Sequence, residues 1–532
     1  MPAIIKQYDK RIGVTYAYES ISYWDKDKQQ SRSRRRLMGI VDPLTGEIKP
    51  TSKKKRNAPT IEDISWLTAK RTFYGATYLL DWIGETTGVT ADLRVCFPDT
   101  YKQILSIAYY LILEDKNPLS RFPKWSKLHI HPHGETISSQ RSSELFASIS
   151  EDQRMNFFRL RGVRHTDSEY WAYDTTSISS YSELLRQVRY GKNKDHDPLP
   201  QINLALLYGQ ESGLPFYYRK LPGNISDVST VRQLLKDMKF LGHKGIKFVF
   251  DRGFYSAKNI NDLYSERLKF LMGVKLSLKY ISEELENHRD TVRNWDNLLP
   301  ESEVFGMTIS THWLHTRTRP KKNDKVTIRR KMYIHLYYDS VKAIEDEREF
   351  SKLMCQLKQE LLSGNNVDAH EQFYAQYFTV KTTPVRGTKV IAKTDVIADE
   401  RKNFGYFALI GNEILTASQA LTTYRNKDVA EKAFDNVKDR LDMRRLNVSS
   451  DLSLAGKLFV VFVSLIFISF LHNAMKNANL YPKFTMHDLL DELEIIEQFE
   501  RQGNKPQIGE ITKKQTDIFI ALNVPPLKSS LC

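Results

Sequence analysis

Cysteine is scarce: Cys96, Cys355 and Cys532 are three in 532 residues, odd in number and far apart. No CxxC pair occurs, so neither a disulfide framework nor a cysteine-ligated zinc module is supported, and a reducing, intracellular setting fits. Glycine (24) and proline (19) are too few for a fibrous or low-complexity chain. The opening MPAIIKQYDKRIGVTYAYES lacks the charged-then-apolar layout of a signal peptide. The one run that tests a membrane crossing, Leu458 to Leu471, has 14 residues between Lys457 and His472. A spanning helix needs roughly 20, so this run is expected to be a buried core helix in a chain without membrane attachment.

What is present is apolar material and positive charge. With 41% hydrophobic and 11% aromatic residues the chain can fill real cores, and its length suggests about three domains. Lys and Arg number 79 against 64 Asp and Glu, a formal charge of +15. A basic excess of this size asks for a polyanion.

Residues 1–60 read as short strands around turns. GVTYAYESISYWD alternates apolar with polar positions, and GIVDPLTGEIKP carries a turn between two further runs. The segment linking them holds Arg32, Arg34, Arg35 and Arg36, and Lys53, Lys54, Lys55 and Arg56 form a second basic run. Two such runs beside Tyr23 and Trp24 point to a nucleic-acid contact. From 61 to 165 the apolar period is helical, and within it HIHPHGE sets His129, His131 and His133 at alternate positions. On a strand these would share a face able to hold a metal, but no acidic partner follows at a known spacing.

Residues 166–278 give strands at YWAYDTTSIS, QINLALLYG and LPFYYRKLPG, a helix, a strand at GIKFVFDRG, a second helix and a strand at LKFLMGVKL. This is the order of an RNase H-like α/β core, a mixed five-stranded sheet with helices. Residues 279–401 fit no continuation of that sheet and read as an inserted subdomain, with eight basic residues between Arg317 and Lys331. Residues 402–480 return to the core through the strand FGYFALIGN and a long helix from about Thr416 to Leu441. Residues 481–532 are expected to be an acidic amphipathic helix and a polar tail.

Three acids stand out by placement: Asp174 in the first core strand, Asp251 at the end of the fourth, and Glu431 on the long helix. A strand carboxylate aimed at a core is costly to desolvate unless a cation or a bound phosphate balances it. On the helix, Tyr424, Lys427, Glu431 and Lys438 fall within a stripe of roughly 60° at about 100° per residue. One acid among two lysines and a tyrosine suits a metal and phosphate surface, while a solvated helix face would account for the same pattern.

The helix pattern Y-x2-K-x3-E-x6-K resembles the Y-x2-R-x3-E-x6-K signature of bacterial insertion-sequence transposases of the DDE class, in the branch with a β-rich insertion in the catalytic domain. DTTSISSYS and FVFDRGFYS are similar to the segments around that family's first two aspartates, and LPGNISDVSTV lies between them. Asp251 follows Asp174 by 77 positions and Glu431 follows Asp251 by 180, the long second interval of members that carry the insertion. Lys427 departs from the usual Arg, keeping charge but losing its bidentate fork.

The resemblance implies that Asp174, Asp251 and Glu431 bind two Mg²⁺ or Mn²⁺ ions and carry the chemistry. It implies that Tyr424, Lys427 and Lys438 hold terminal phosphates. The N-terminal module, with Arg34, Arg35, Arg36, Lys54 and Lys55, would bind double-stranded DNA at the element's terminal inverted repeats. The reaction would be cleavage at those ends, attack of the freed 3′-OH either across the break to make a hairpin or in target DNA, and joining to target DNA, by a homodimer on paired ends in the bacterial cytoplasm. In some relatives a tryptophan of the insertion stacks on a flipped base. Trp313 is the candidate here, with a core tryptophan as the plainer reading. The competing class is a non-catalytic DNA-binding protein derived from such an enzyme.

Overall fold

The computed structural model describes residues 3–10, 12–25, 28–50, 70–114, 117–164, 169–181, 185–194, 197–242, 245–318, 325–383, 387–441, 448, 450–500 and 505–530. Within these, the side chains of 317, 318, 325, 382, 383, 387, 429–431, 439 and 440 lie outside the description. The chain divides into two compact units, residues 1–70 with 500–506, and 71–499 with 507–532.

The first unit is an antiparallel sheet in the order β1 (Ala3–Asp9), β2 (Val14–Asp25), β3 (Gln30–Val41) and β4 (Ile48–Lys49). The arginines expected on a link lie instead on β3, because ESISYWD on β2 offers a partner for each. Glu19 faces Arg36, Ser20 faces Arg35, Ile21 faces Arg34 and Tyr23 faces Arg32. Since side chains alternate, Arg32, Arg34 and Arg36 share one face and Arg35 points to the other. All four are exposed. Gly39 on β3 is backed closely by β4: a Cβ there would fall 2.2 Å from the Lys49 carbonyl oxygen. Lys54 and Lys55 lie outside the described residues.

The second unit opens at Arg71 within β5 (Lys70–Phe73) and continues in a helical layer between Gly75 and Val163. Ser150 starts its last helix with a capping box closed by Gln153. The core follows: β6 (Tyr170–Ser179), β7 (Gln201–Gly209), β8 (Pro215–Pro222), a helix Asp227–Leu241, β9 (Lys247–Phe250), a helix Ala257–Ser265 and β10 (Lys269–Val274). These strands lie in the order β8-β7-β6-β9-β10, antiparallel from β8 to β6 and parallel from β6 to β10. That is an RNase H-like core. All nine residues of β7 are buried, as a strand covered on both faces requires.

The sheet then runs on to nine strands. Beyond β10 come, in space, β16 (Tyr406–Gly411), β13 (Lys325–Tyr338), β12 (Val304–Thr318) and β11 (Leu298–Leu299). Residues 279–401 therefore continue the sheet through β11 to β13, contrary to the expectation from sequence. The reason is pairing: Tyr333 to Tyr338 on the long β12–β13 hairpin match Gly411 to Tyr406 on β16 residue for residue. The helices Lys279–Val292, Ser340–Ser363, Glu371–Tyr377 and Thr394–Arg401 and the hairpin β14 (Phe378–Thr383) with β15 (Gly387–Ala392) lie off the sheet.

The apolar run belongs to a 27-residue helix, Asp451–Asn477, long and apolar enough to cross a membrane, yet 83% of its most apolar stretch is buried in the fold. It packs on β8 and on the helices Gly75–Thr86, Tyr101–Leu113 and Ser139–Ser148. At Gly456 a Cβ would fall 2.0 Å from the Phe146 carbonyl oxygen, so only glycine permits that approach. After it, the acidic helix ends at Glu494, and β17 (Glu497–Glu500), β18 (Gln507–Ile508) and a helix Lys513–Ala521 replace the expected polar tail.

Candidate active site

β6 and β9 run parallel and in register, with Tyr173 opposite Phe250. The next residue on each chain is an aspartate, so Asp174 and Asp251 emerge side by side from neighbouring strands, about 4.8 Å apart in backbone. Tyr173, Phe250 and Phe254 pack their rings together behind the pair. Ser256 caps the helix that follows Asp251, accepting from the Asn259 N–H.

The two carboxylates have different surroundings. Asp251 Oδ1 accepts a 2.7 Å hydrogen bond from the Tyr424 hydroxyl. Burial pushes the Asp251 pKa up, but Tyr424, the Arg252 backbone N–H and the charges of Lys427 and Arg252 outweigh it and hold the acid below its ordinary value. Asp174 Oδ1 accepts from the Thr175 N–H at 2.7 Å and from Lys194 Nζ at 3.3 Å. There burial wins, and with repulsion from Asp251 it raises the Asp174 pKa despite Lys194.

The sequence reading missed three residues here. Lys194 and Asp227 flank Asp174: Lys194 Nζ lies 3.9 Å from Asp227 Oδ2, and Thr175 Oγ1 donates to Asp227 Oδ1 at 2.5 Å. Lys194 lies in loop-like sequence with no periodicity to betray it, while Asp227 opens the helix Asp227–Leu241 within the LPGNISDVSTV segment. The third is Gly273 on β10, where a Cβ would fall 2.6 Å from the Tyr424 hydroxyl oxygen. Glycine makes the room in which Tyr424 reaches Asp251.

The long helix is broken. Thr416 caps Ala417–Arg425, a second piece runs Asp428–Asp435, and a π-helical turn spans Asn436–Arg440. The uniform rotation assumed along it therefore fails. Lys438 is 9% exposed, part of the buried side with Ala433, Phe434 and Val437. Lys427 Nζ sits 5.6 Å from the Tyr424 ring centroid. Glu431 lies on the piece that packs over β6 and β7, and its side chain is outside the described residues.

The histidines do not form a shared strand face. His129 Nδ1 donates to the Trp125 carbonyl at 2.9 Å and its Nε2 meets Glu494 at 2.5 Å, while His131 and the His133 N–H both meet Ser106 Oγ. Among the described residues no group of three or more His, Cys, Asp or Glu is gathered for a metal. Asp174 and Asp251 nonetheless fit a hard cation as two oxygen donors whose mutual repulsion a positive ion would relieve. Trp313 is half-buried, its indole N–H donating to Asn261 Oδ1 at 2.8 Å and its ring edge-on to Tyr280, as a packed tryptophan.

Residues 166–467 match the family model described as a transposase DDE domain. No curated protein matches the chain. Among solved structures, the piggyBac transposase synaptic complex with hairpin DNA is similar at 11% identity and a TM-score of 0.33, over 64% of this chain and 54% of that one. The chain thus spans about half the length of that structure. The family match takes in more than half of the chain, which belongs to the transposase DDE-domain family.

Proposed function

We propose, from membership in this family, that the protein is a DNA transposase that binds the terminal inverted repeats of an insertion sequence, cuts at their ends and joins the freed 3′-OH to target DNA. The observation that carries this reading is the pair Asp174 and Asp251 on adjacent parallel strands, with Tyr424 bonded to the second. Asp174 and Asp251, with Glu431 by the family resemblance, would hold two divalent cations, Mg²⁺ or Mn²⁺. When bound, these supply charge stabilisation at the phosphodiester being broken.

The chain's own residues do the rest. Tyr424 fixes the Asp251 carboxylate by its hydroxyl and keeps it ionised, so it stays an acceptor at neutral pH. Water attacks the phosphodiester at the element end and a 3′-OH leaves. That hydroxyl then attacks a second phosphodiester, in target DNA, exchanging one P–O bond for another with no covalent protein intermediate. Lys427 is the cation beside the acids for a terminal phosphate. Arg32, Arg34 and Arg36, on one exposed face with Tyr23, are the surface for the duplex. A homodimer on paired ends, working in the bacterial cytoplasm, completes the reading.

The test is a nicking assay with Mg²⁺ and DNA carrying the flanking inverted repeats, run beside Asp174→Ala and Glu431→Gln. Nicks at the repeat boundary by the wild type and not by the variants are expected. Cleavage by all three overturns the residue assignment. End binding without cleavage by any protein identifies the non-catalytic DNA-binding alternative instead. Binding should also weaken steeply with salt, and a flat response overturns the arginine face.

A further inference from the structure

Lys194 is held in place at some cost. The short segment before it is tied to the core by Gln201 Nε2 donating to the Lys192 carbonyl at 3.1 Å, Asn193 Nδ2 donating to Ser179 Oγ at 3.1 Å and the Lys194 N–H donating to Ser177 Oγ at 3.3 Å. Ser177, Ser179 and Gln201 are all buried. Buried polar side chains on two central strands are unfavourable unless they find partners, and here each of the three gains one from a loop whose end presents an ammonium. That ammonium donates to the Thr175 carbonyl, lies 3.3 Å from Asp174 Oδ1 and 3.9 Å from Asp227 Oδ2. Asp227 is itself fixed by Thr175 Oγ1.

Resting on the reading that Asp174 holds a divalent cation, we propose that Lys194 is a built-in counter-ion of this site. It is a positioning residue that occupies the Asp174 carboxylate until the divalent ion takes it, with Asp227 as the seat to which it then moves. An ammonium and a dication at one carboxylate repel each other. A displacement of about 1 Å toward Asp227 gives Lys194 a direct charge-assisted hydrogen bond there. The pairing keeps a half-buried aspartate from standing uncompensated between duty cycles, and sets how much divalent ion the site needs.

The experiment measures Mn²⁺ binding by titration calorimetry, and thermal unfolding without metal, for the wild-type chain and Lys194→Met, Asp227→Asn and the double variant. Lys194→Met should bind Mn²⁺ about fivefold more tightly and unfold earlier without metal, the two curves converging when Mn²⁺ is added. Asp227→Asn should weaken Mn²⁺ binding about threefold alone and hardly at all beside Lys194→Met, because a seat matters only while its occupant exists. Lys194→Arg, which keeps the charge, should restore metal-free stability. Unchanged or weaker Mn²⁺ binding in Lys194→Met overturns the proposal, as does a full loss on Asp227→Asn in the double variant, which makes Asp227 a direct ligand. Reduced affinity for DNA in Lys194→Met with Mn²⁺ binding unaltered assigns the lysine to phosphate and overturns it too. Should the wild type bind no Mn²⁺ that Asp174→Asn abolishes, the proposed function itself fails. Wild-type binding that Lys194→Met leaves alone removes only the role of Lys194.

Discussion

The two aspartates leave adjacent strands one position past a matched pair, yet their surroundings push them in opposite directions. On the β9 side a neutral hydroxyl, a backbone N–H and two nearby cations hold Asp251 ionised. On the β6 side a lysine shared with Asp227 fails to offset burial, and Asp174 is the acid that resists ionising. The difference teaches that a carboxylate pair can be kept from mutual exclusion by asymmetry: hydrogen bonds and cations hold one member ionised, while burial resists ionisation of the other.

The largest effect should come from removing either member. Asp174→Asn and Asp251→Asn should each lower end cleavage by about a thousandfold or more, since charge stabilisation of the transition state is lost with either. They should part in DNA affinity. Asp174→Asn leaves Lys194 with one anion fewer and should bind duplex as well as the wild type or better, measured by fluorescence anisotropy. Equal losses of affinity in both variants would remove the asymmetry.

A smaller effect is expected at Tyr424. If the hydroxyl serves Asp251, Tyr424→Phe lowers the cleavage rate by about tenfold with end binding unchanged. If it serves a terminal phosphate, affinity falls instead. Gly273→Ala should mimic the rate loss through a different cause, because its methyl collides with the hydroxyl, and should also cost about 1–3 kcal/mol of stability by overpacking. Denaturant midpoints compare the two variants: Tyr424→Phe should lower its midpoint through the lost hydrogen bond to Asp251, and Gly273→Ala should lower its own further, because overpacking adds to that loss.

Much of this asymmetry was hidden from sequence, and the reason is specific. Asp174 and Asp251 are legible because one interrupts the apolar strand β6 and the other directly follows β9, where a carboxylate is conspicuous, and the β8-β7-β6-β9-β10 core is legible because strand and helix periods alternate cleanly. Lys194 and Asp227 are polar residues in polar surroundings, and only the long-range tie of Lys192–Lys194 to Ser177, Ser179 and Gln201 gives them meaning. The helix wheel through Tyr424 and Lys438 failed because a π turn and a break at Asn426–Lys427 alter the rotation, which no count of residues reveals. The inserted residues 279–401 hid their share of the sheet for a related reason: β12 and β13 carry charge toward the hairpin tip while the other end of β13 pairs with β16.

The smallest expected effect is on stability, and its sign differs between the two acids. Asp251 has a lowered folded pKa, so its ionisation stabilises the fold above the unfolded value near 3.8, and that contribution is lost as pH falls through the folded value. Asp174 has a raised folded pKa, so its contribution is present below about 3.8 and is lost as pH rises through the folded value. Without divalent metal at pH 7, Asp174→Asn should therefore gain about 1 kcal/mol. Asp251→Asn should lose a similar amount, since Tyr424 and the neighbouring cations are left without their anion. Unfolding followed by circular dichroism from pH 3 to pH 8 reads both slopes. Two variants shifting in the same direction at pH 7 would mean that the strands treat their aspartates alike, and that the Lys194–Asp227 arrangement compensates Asp174 as fully as Tyr424 does Asp251.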